Sequence, residues 1–369
     1  MRIAYVSLHW PRATTSGVGK KIHCQIEAWK SLGHEACLFM HSEASYDPKL
    51  LSGGKFFYPT QKGIIKRELG RIRAAKEMLQ AVERYQPDLI YLRYGIYIYP
   101  IHQLASIAPL IEEITTNDVV QHKELGLPFS LYNRLTRGIL LNHTNGLVCL
   151  SNELRTSSYN AKYKKQTQVI GDSIDLATTS LLPAPKNAQP RIAFIGSPGS
   201  LWQGVDKLIL LAKNFSDLSV HIIGYDQIEG HHSLPDNLHL HGYLGKSEYT
   251  DILATIDCAI GSLALHRIHL EESSPLKTRE CLALGLPMVL PYKDTDLHEL
   301  KSELLLKIPN REDNIVTHGK LIRDFSYKMR GKRVTHALIA PYIDAQHKEK
   351  KRIAFFEEVI EQEKAVKSA

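Results

Sequence analysis

Residues 258–292 read CAIGSLALHRIHLEESSPLKTRECLALGLPMVLPY, and the fold class follows from them. The apolar run at 258–260 predicts a buried strand, followed by a polar loop, a short helix and a second strand at 287–290. Pro275 suits the first helical turn, where its missing N–H is no loss. Gly285 follows the last apolar helical residue and Pro287 stops continuation. The helix therefore begins near Pro275 and Leu276, and its free N–H groups face the loop before it. Such an end is a ready anion site. Glu272 lies in the loop and Glu280 on the helix, so one ligand spanning the helix start can touch both. The plain alternative is a βαβ unit with a solvated acidic loop. A glycosidase-like carboxylate pair is also conceivable, but a helix N-terminus between the two suits a diphosphate better than a water.

The Glu272-x7-Glu280 spacing resembles the donor-sugar motif of retaining GT-B glycosyltransferases of the glycosyltransferase family 4 type. The resemblance implies that Glu272 contacts the donor sugar hydroxyls and Glu280 the ribose, with backbone N–H groups of Ser274 to Leu276 on the diphosphate. The motif's usual Gly-Phe-Gly is replaced by Ser273-Ser274-Pro275. Pro275 has no N–H to give, which moves the cradle onto Leu276, Lys277 and the serines. Residues 196–207 resemble the family's Gly-Arg…Lys-Gly stretch, with Ser197 and Gln203 where its diphosphate-steadying Arg and Lys stand. Lys277, or next Lys207, is the candidate for the missing charge.

Other positions follow from the same resemblance. Gly242-Tyr243-Leu244 stand where family backbone meets the nucleobase, and Gly17 and Gly19 where a flexible glycine loop approaches the diphosphate. Asn117-Asp118 replace a frequent His-Asp pair. Asp118 joins Glu272 and Lys277 as a catalytic candidate without being assigned as general base. Arg93 and Asn117 are placed on the acceptor side. The turn at 172–175 resembles the family's Asn-Gly-Ile-Asp at the end of the first domain, and a C-terminal helix is expected to return to that domain.

The 369 residues suffice for two domains, and 43% apolar with 23% charged residues describe a soluble globular chain. The five cysteines are scattered, without CxxC spacing, and read as thiols in a reducing compartment. The N-terminus runs directly into an apolar strand, and no apolar run has the length of a membrane span. The expected location is therefore cytoplasmic, with a peripheral membrane contact as the one exception considered. A net charge of +7 is compatible with nucleic acid, anionic lipid or a nucleotide sugar.

Along the chain, strands are expected at 3–7, 35–40, 89–92, 110–115, 147–150 and 169–170, with 41–60 as a long loop. A helix opening from the Ser16-Gly17-Val18-Gly19-Lys20 stretch carries Val18, Ile22, Ile26 and Trp29 on one face and ends at Gly33. Residues 62–84 predict a helix with Ile65, Leu69, Ile72, Leu79 and Val82 on its apolar side. Its other side carries Lys62, Lys66, Arg67, Arg71, Arg73 and Lys76, either a solvated face or a surface for anionic membrane. Proline-rich 177–190 reads as a linker, after which a second α/β half opens at 191–196. Strands are expected at 219–223 and 238–241, and a helix at 314–329. The histidines at 231, 232, 239 and 241 match no zinc spacing, and Asp294-Thr295-Asp296 reads as a solvated turn.

The expected fold is α/β of GT-B type: two Rossmann-like domains facing a cleft. The first covers 1–175 with helix 344–366 packed on it, and the donor domain covers 191–330. The expected function is retaining, metal-independent transfer of a sugar from a nucleotide diphosphate sugar to an acceptor hydroxyl, in polysaccharide, glycolipid or other cell-envelope glycan assembly. No cofactor is expected. The expected partners are the donor, a glycan or lipid-linked acceptor and anionic membrane against helix 62–84, with no nucleic acid. The alternatives are a non-hydrolysing sugar-nucleotide epimerase of the same fold and an inactive nucleotide-sugar-binding partner subunit.

Overall fold

A computed structural model describes residues 1–8, 17–41, 55–57, 63–120, 126–231 and 233–368. It divides into two compact units, Met1–Gly171 with Ala345–Ala369, and Asp172–Asp344. Unit 1 is built on β1 (Arg2–Ser7), β2 (Glu35–His41), β3 (Lys55–Phe57), β4 (Leu89–Arg93), β5 (Leu110–Ile114), β6 (Gly146–Cys149) and β7 (Gln166–Val169). They form one parallel sheet in the order β3-β2-β1-β4-β5-β6-β7. Helices α1 (Gly17–Ser31), α2 (Ile64–Tyr85), α3 (Leu127–His143), α4 (Asn152–Thr156) and α5 (Ser158–Ala161) supply the crossovers. Strands covered on both faces read as apolar runs rather than alternating ones, and Ile3, Ala4, Tyr5 and Val6 are all fully buried.

Three expectations change here. The stretch expected as a loop at 41–60 contains β3, paired with β2 from Phe39 to His41, while the rest of it lies outside the described residues. Gly17 and Gly19 sit in the first turn of α1, not in a loop before it, and residues 9–16 lie outside the described residues. Helix α2 buries Ala74, Ala75, Met78, Leu79 and Val82, whereas Ile65 and Leu69 are exposed. On its charged side Arg71 pairs with Glu68 (2.8 Å) and Arg73 with Glu77 (3.0 Å).

The C-terminal helix Ala345–Ser368 packs on α1 and closes this unit. Phe355, Phe356 and Val359 enter the core around Trp29 and Tyr91. Below them lies a buried polar anchor. Trp29 Nε1 donates to Glu349 Oε2 (2.7 Å), and Arg352 Nη1 donates to the Tyr91 hydroxyl (2.6 Å). Glu113 faces Lys21 (3.0 Å), Arg93 (3.2 Å) and Arg352 (3.9 Å). Burial alone would raise the Glu113 carboxyl, but these cations outweigh it and hold it at about 2.

Unit 2 holds β8 (Arg191–Ile195), β9 (Ser219–Ile223), β10 (Leu238–Leu240), β11 (Cys258–Ile260), β13 (Met288–Leu290) and β15 (Leu305–Lys307) in a parallel sheet ordered β10-β9-β8-β11-β13-β15. A short parallel pair, β12 (Glu272–Ser273) and β14 (Lys293–Asp294), stands apart. The helices are α6 (Val205–Asn214), α7 (Lys246–Ala254), α8 (Leu276–Ala283), α9 (Asn314–Met329) and α10 (His336–Ile343). The order reverses between β8 and β11, the place where open α/β sheets bind ligands beyond their carboxyl ends. Each unit is thus Rossmann-like, and with the C-terminal helix returned to the first unit the chain has the GT-B fold.

Candidate functional site

The candidate site lies in unit 2, beyond the carboxyl ends of β8 and β11. Helix α8 begins at Leu276 after Pro275, whose extended backbone (φ −76°, ψ 135°) turns the chain into the helix and offers no side-chain cap. The first amides of a helix have no intrahelical acceptor, so Leu276 and Lys277 present theirs to whatever lies in front. Glu272 is buried in β12 with Lys293 Nζ at 3.6 Å, and Glu280 is half-buried on α8 beside Tyr249.

Lys277 departs from expectation. Its Nζ donates to Ile195 O (3.0 Å) at the end of β8 and lies 4.2 Å from the Phe194 ring centre. Burial pulls this ammonium down to about 7. Its positive charge is therefore less secure near neutral pH than that of an exposed lysine. Lys207, the second candidate, is committed elsewhere. Its Nζ donates to Leu263 O (3.2 Å) and Arg311 O (2.8 Å), with Glu312 at 3.6 Å.

The loop after β8 is braced from within. Gln203 Oε1 accepts from Ser197 N (3.1 Å) and the Tyr225 hydroxyl (3.2 Å), and Gln203 Nε2 donates to Ser197 O (3.2 Å). Gln203, the candidate standing where the family's diphosphate-steadying Lys is expected, is buried, and its amide holds the loop. The brace needs Gly196, where an added Cβ would lie 2.1 Å from Gln203 Oε1. After β10, Gly242 takes a left-handed turn (φ +64°), and the Tyr243 ring beside it is 77% exposed.

Residues 294–296 are not a solvated turn. Arg279 is fully buried and donates to Asp294 through both terminal nitrogens, to Asp296 Oδ2 (2.5 Å), Ser274 Oγ (2.8 Å) and Asp172 O (3.1 Å). Ser274 Oγ also accepts from Asp172 N (2.7 Å). Arg279 thus ties the loop before α8 to the strand behind it. Sequence reasoning missed Arg279; the acidic pair at 294 and 296 was the signal that could have found it.

Asp118, Asn117 and Arg93 belong to unit 1. Both Asp118 oxygens are taken by Arg137 (2.8 and 3.1 Å), with Asn133 Nδ2 (2.9 Å) and the Tyr94 hydroxyl (2.8 Å) also donating. A carboxylate so held positions α3 and is not a free base. Asn117 Oδ1 accepts from Val120 N (3.3 Å), and Arg93 is drawn to Glu113. Glu112, the neighbour of Glu113 in β5, was missed. It is fully buried with no hydrogen-bond partner on either oxygen among the described residues, and burial pushes it up to about 8. Among the described residues no group of three or more His, Cys, Asp or Glu side chains is arranged to hold a metal, and no helix is long and apolar enough to cross a membrane.

No protein-family model matches the chain, and no curated protein matches it. Solved structures do. A sucrose-phosphate synthase from Thermosynechococcus elongatus is similar at TM-score 0.65 and 12% identity, covering 98% of this chain and 99% of that one. The lipopolysaccharide outer core galactosyltransferase WaaB is similar at TM-score 0.67 and 11% identity over 97% of this chain and 100% of that one. An alpha-glucosyltransferase in complex with UDP and a 13-mer DNA is similar at TM-score 0.65 and 13% identity, covering 96% and 99%. At such identities the shared property is the fold. Three of the similar structures are glucosyltransferases bound to DNA. The expectation that nucleic acid is no partner is corrected accordingly, since proteins of this fold are described in complex with DNA.

Proposed function

We propose that the chain is a retaining glycosyltransferase of the glycosyltransferase family 4 type, moving a sugar from a nucleotide diphosphate sugar to an acceptor hydroxyl. The carrying observation is the placement of Glu272 and Glu280 on either side of the α8 N-terminus, beyond the switch point of a Rossmann-like sheet. As the bond from the anomeric carbon to the diphosphate breaks, negative charge gathers on the leaving oxygens. The Leu276 and Lys277 amides and the α8 dipole stabilise that charge, and the Lys277 ammonium adds to it when protonated. Glu272 holds the sugar hydroxyls, Glu280 the ribose, and the exposed Tyr243 ring offers a surface for the base. Ser197 contributes backbone, held in place by Gln203. On this reading catalysis needs no metal. UDP is the first nucleotide to try, because several of the similar proteins are described with it. The five cysteines, scattered and without CxxC spacing, fit a cytoplasmic setting, and the acceptor is a hydroxyl in glycan assembly.

The test is nucleotide release from a panel of nucleotide sugars, with and without glycan, lipid-linked and DNA acceptors. Donor consumption that leaves every acceptor unmodified would favour epimerisation. Nucleotide binding without turnover would favour the inactive subunit. Glu280→Gln should weaken UDP about tenfold or more, since a charge-assisted bond contributes roughly 1.5–3 kcal/mol. Unchanged affinity by calorimetry would remove Glu280 from the donor site.

A further inference from the structure

A cavity of 440 Å³ lies in unit 1 between α3 and the crossover carrying α4 and α5, lined by Ser130, Arg134, Arg137, Tyr159, Lys162 and Tyr163 among others. Its size is that of a small-ligand pocket. Ser130, Arg134 and Arg137 share one face of α3 at helical spacing. Arg137 forms the floor, fixed by Asp118, by Tyr159 O (2.7 Å) and by Asn160 Oδ1, with its guanidinium 5.7 Å from the Tyr163 ring centre. Its charge is matched by Asp118. The two cations above it are not matched. Arg134 and Lys162 are exposed and form no ion pair among the described residues, and Lys162 Nζ stands over the Tyr163 ring (5.1 Å). Among the described residues the cavity therefore carries two uncompensated positive charges, around tyrosine rings and a serine hydroxyl.

We propose that this cavity binds a phosphomonoester: a terminal phosphate held between Arg134 and Lys162, with the rest of the molecule against Tyr159 and Tyr163. A phosphate monoester bears close to two negative charges near neutral pH, which matches two free cations. Guanidinium and phosphate also pair through parallel bonds. A cavity of this volume admits one such group with a sugar or glycerol attached, not a duplex. The phosphate is carried by a soluble ester or by a lipid. The second source has a place to lie, because Leu127, Leu131 and Leu135 form the neighbouring stripe of α3 and are 80%, 53% and 69% exposed. The inference rests on the glycosyl-transfer reading only in making this ligand the acceptor; the binding itself requires no donor.

The test uses the full chain without donor. Calorimetry with glycerol 3-phosphate probes the soluble source, and co-sedimentation with phosphatidylcholine vesicles doped with phosphatidic acid probes the lipid source. Binding of either probe is expected, weakening roughly tenfold for each of Arg134→Gln and Lys162→Gln and falling as salt rises. Thermal unfolding and UDP affinity of the variants control for folding. Phosphate binding without nucleotide release would leave the cavity assigned and the transferase reading lost; the reverse would do the opposite. Binding of neither probe, unchanged affinity in the double variant, or tighter binding of a DNA oligonucleotide through the same two residues would overturn the assignment.

Discussion

Lys277, half-buried, and Glu112, fully buried, are both ionisable groups shifted toward neutrality, and their effects on stability run in opposite directions with pH. Lys277 falls from 10.5 to about 7. Between those values the unfolded chain keeps the proton and the folded chain releases it, so stability from this group rises with pH across that window. Lys277→Met should flatten that slope in thermal unfolding. A bound diphosphate favours the charged form, so UDP binding at about pH 8 should take up a proton. Calorimetry in two buffers of different ionisation heat measures the uptake, and finding none would place Lys277 outside the donor site. Glu112 rises from 4.5 to about 8. Here the folded chain keeps a proton the unfolded chain has lost, so stability declines as pH climbs between those values. Glu112→Gln should be nearly neutral at about pH 5 and stabilising at about pH 8.5, where the wild-type carboxylate must be buried charged. An equal shift in melting temperature at both pH values would contradict this.

The loop before α8 is held at the level of elements by one side chain, Arg279, which joins α8 to β14 and to the start of unit 2 at Asp172. Removing one member of a buried charged group leaves the others uncompensated and costs about 3–5 kcal/mol. Arg279→Ala should lose stability on that scale by denaturant titration, because Asp294 would remain buried without its partner. If Arg279 instead met the diphosphate directly, Arg279→Lys would cut UDP affinity while leaving stability intact. The spacing of β5 shows the same logic. Adjacent residues of a strand face opposite ways, so Glu112 faces the α3 side while Glu113 meets Lys21 and Arg352 under the C-terminal helix. Two identical side chains in sequence thereby acquire shifts of opposite sign.

At the scale of the molecule, the two units differ in how the chain builds them. Unit 2 is one continuous segment, Asp172–Asp344, with its own apolar core. Unit 1 is completed only by the C-terminal helix, whose Phe356 fills the space beside Trp29 and Tyr91. A fragment of residues 172–344 should therefore fold cooperatively and bind UDP with near full-length affinity, as circular dichroism and calorimetry would report. A fragment of residues 1–171 should not fold alone, since it leaves Glu113 and the face of α1 uncovered. Cooperative melting of the shorter fragment would show that the C-terminal helix is dispensable.

The two α/β halves, the strands at 3–7, 89–92 and 258–260, and the helix starting behind Pro275 were all legible in the sequence. Apolar runs, glycines and prolines act through neighbouring residues, and parallel strands buried on both faces leave a strong local signal. β3 and β15 were not legible: their Lys-Phe-Phe and Leu-Leu-Lys fit a loop or helix as well as a strand, and neither has the flanking helix, glycine and proline signals that framed the equally short strand at 258–260. The Glu-x7-Glu spacing marked the candidate donor site, and no local feature revealed which cations serve it. Lys207, Gln203, Arg279 and Asp118 look alike in sequence, as polar groups near a glycine or a turn. Only tertiary structure decided that each is spent on an internal partner, while Lys277 turns inward and approaches neutrality. Burial and pairing come from residues tens to hundreds of positions away, and they determine which charge remains available to a ligand.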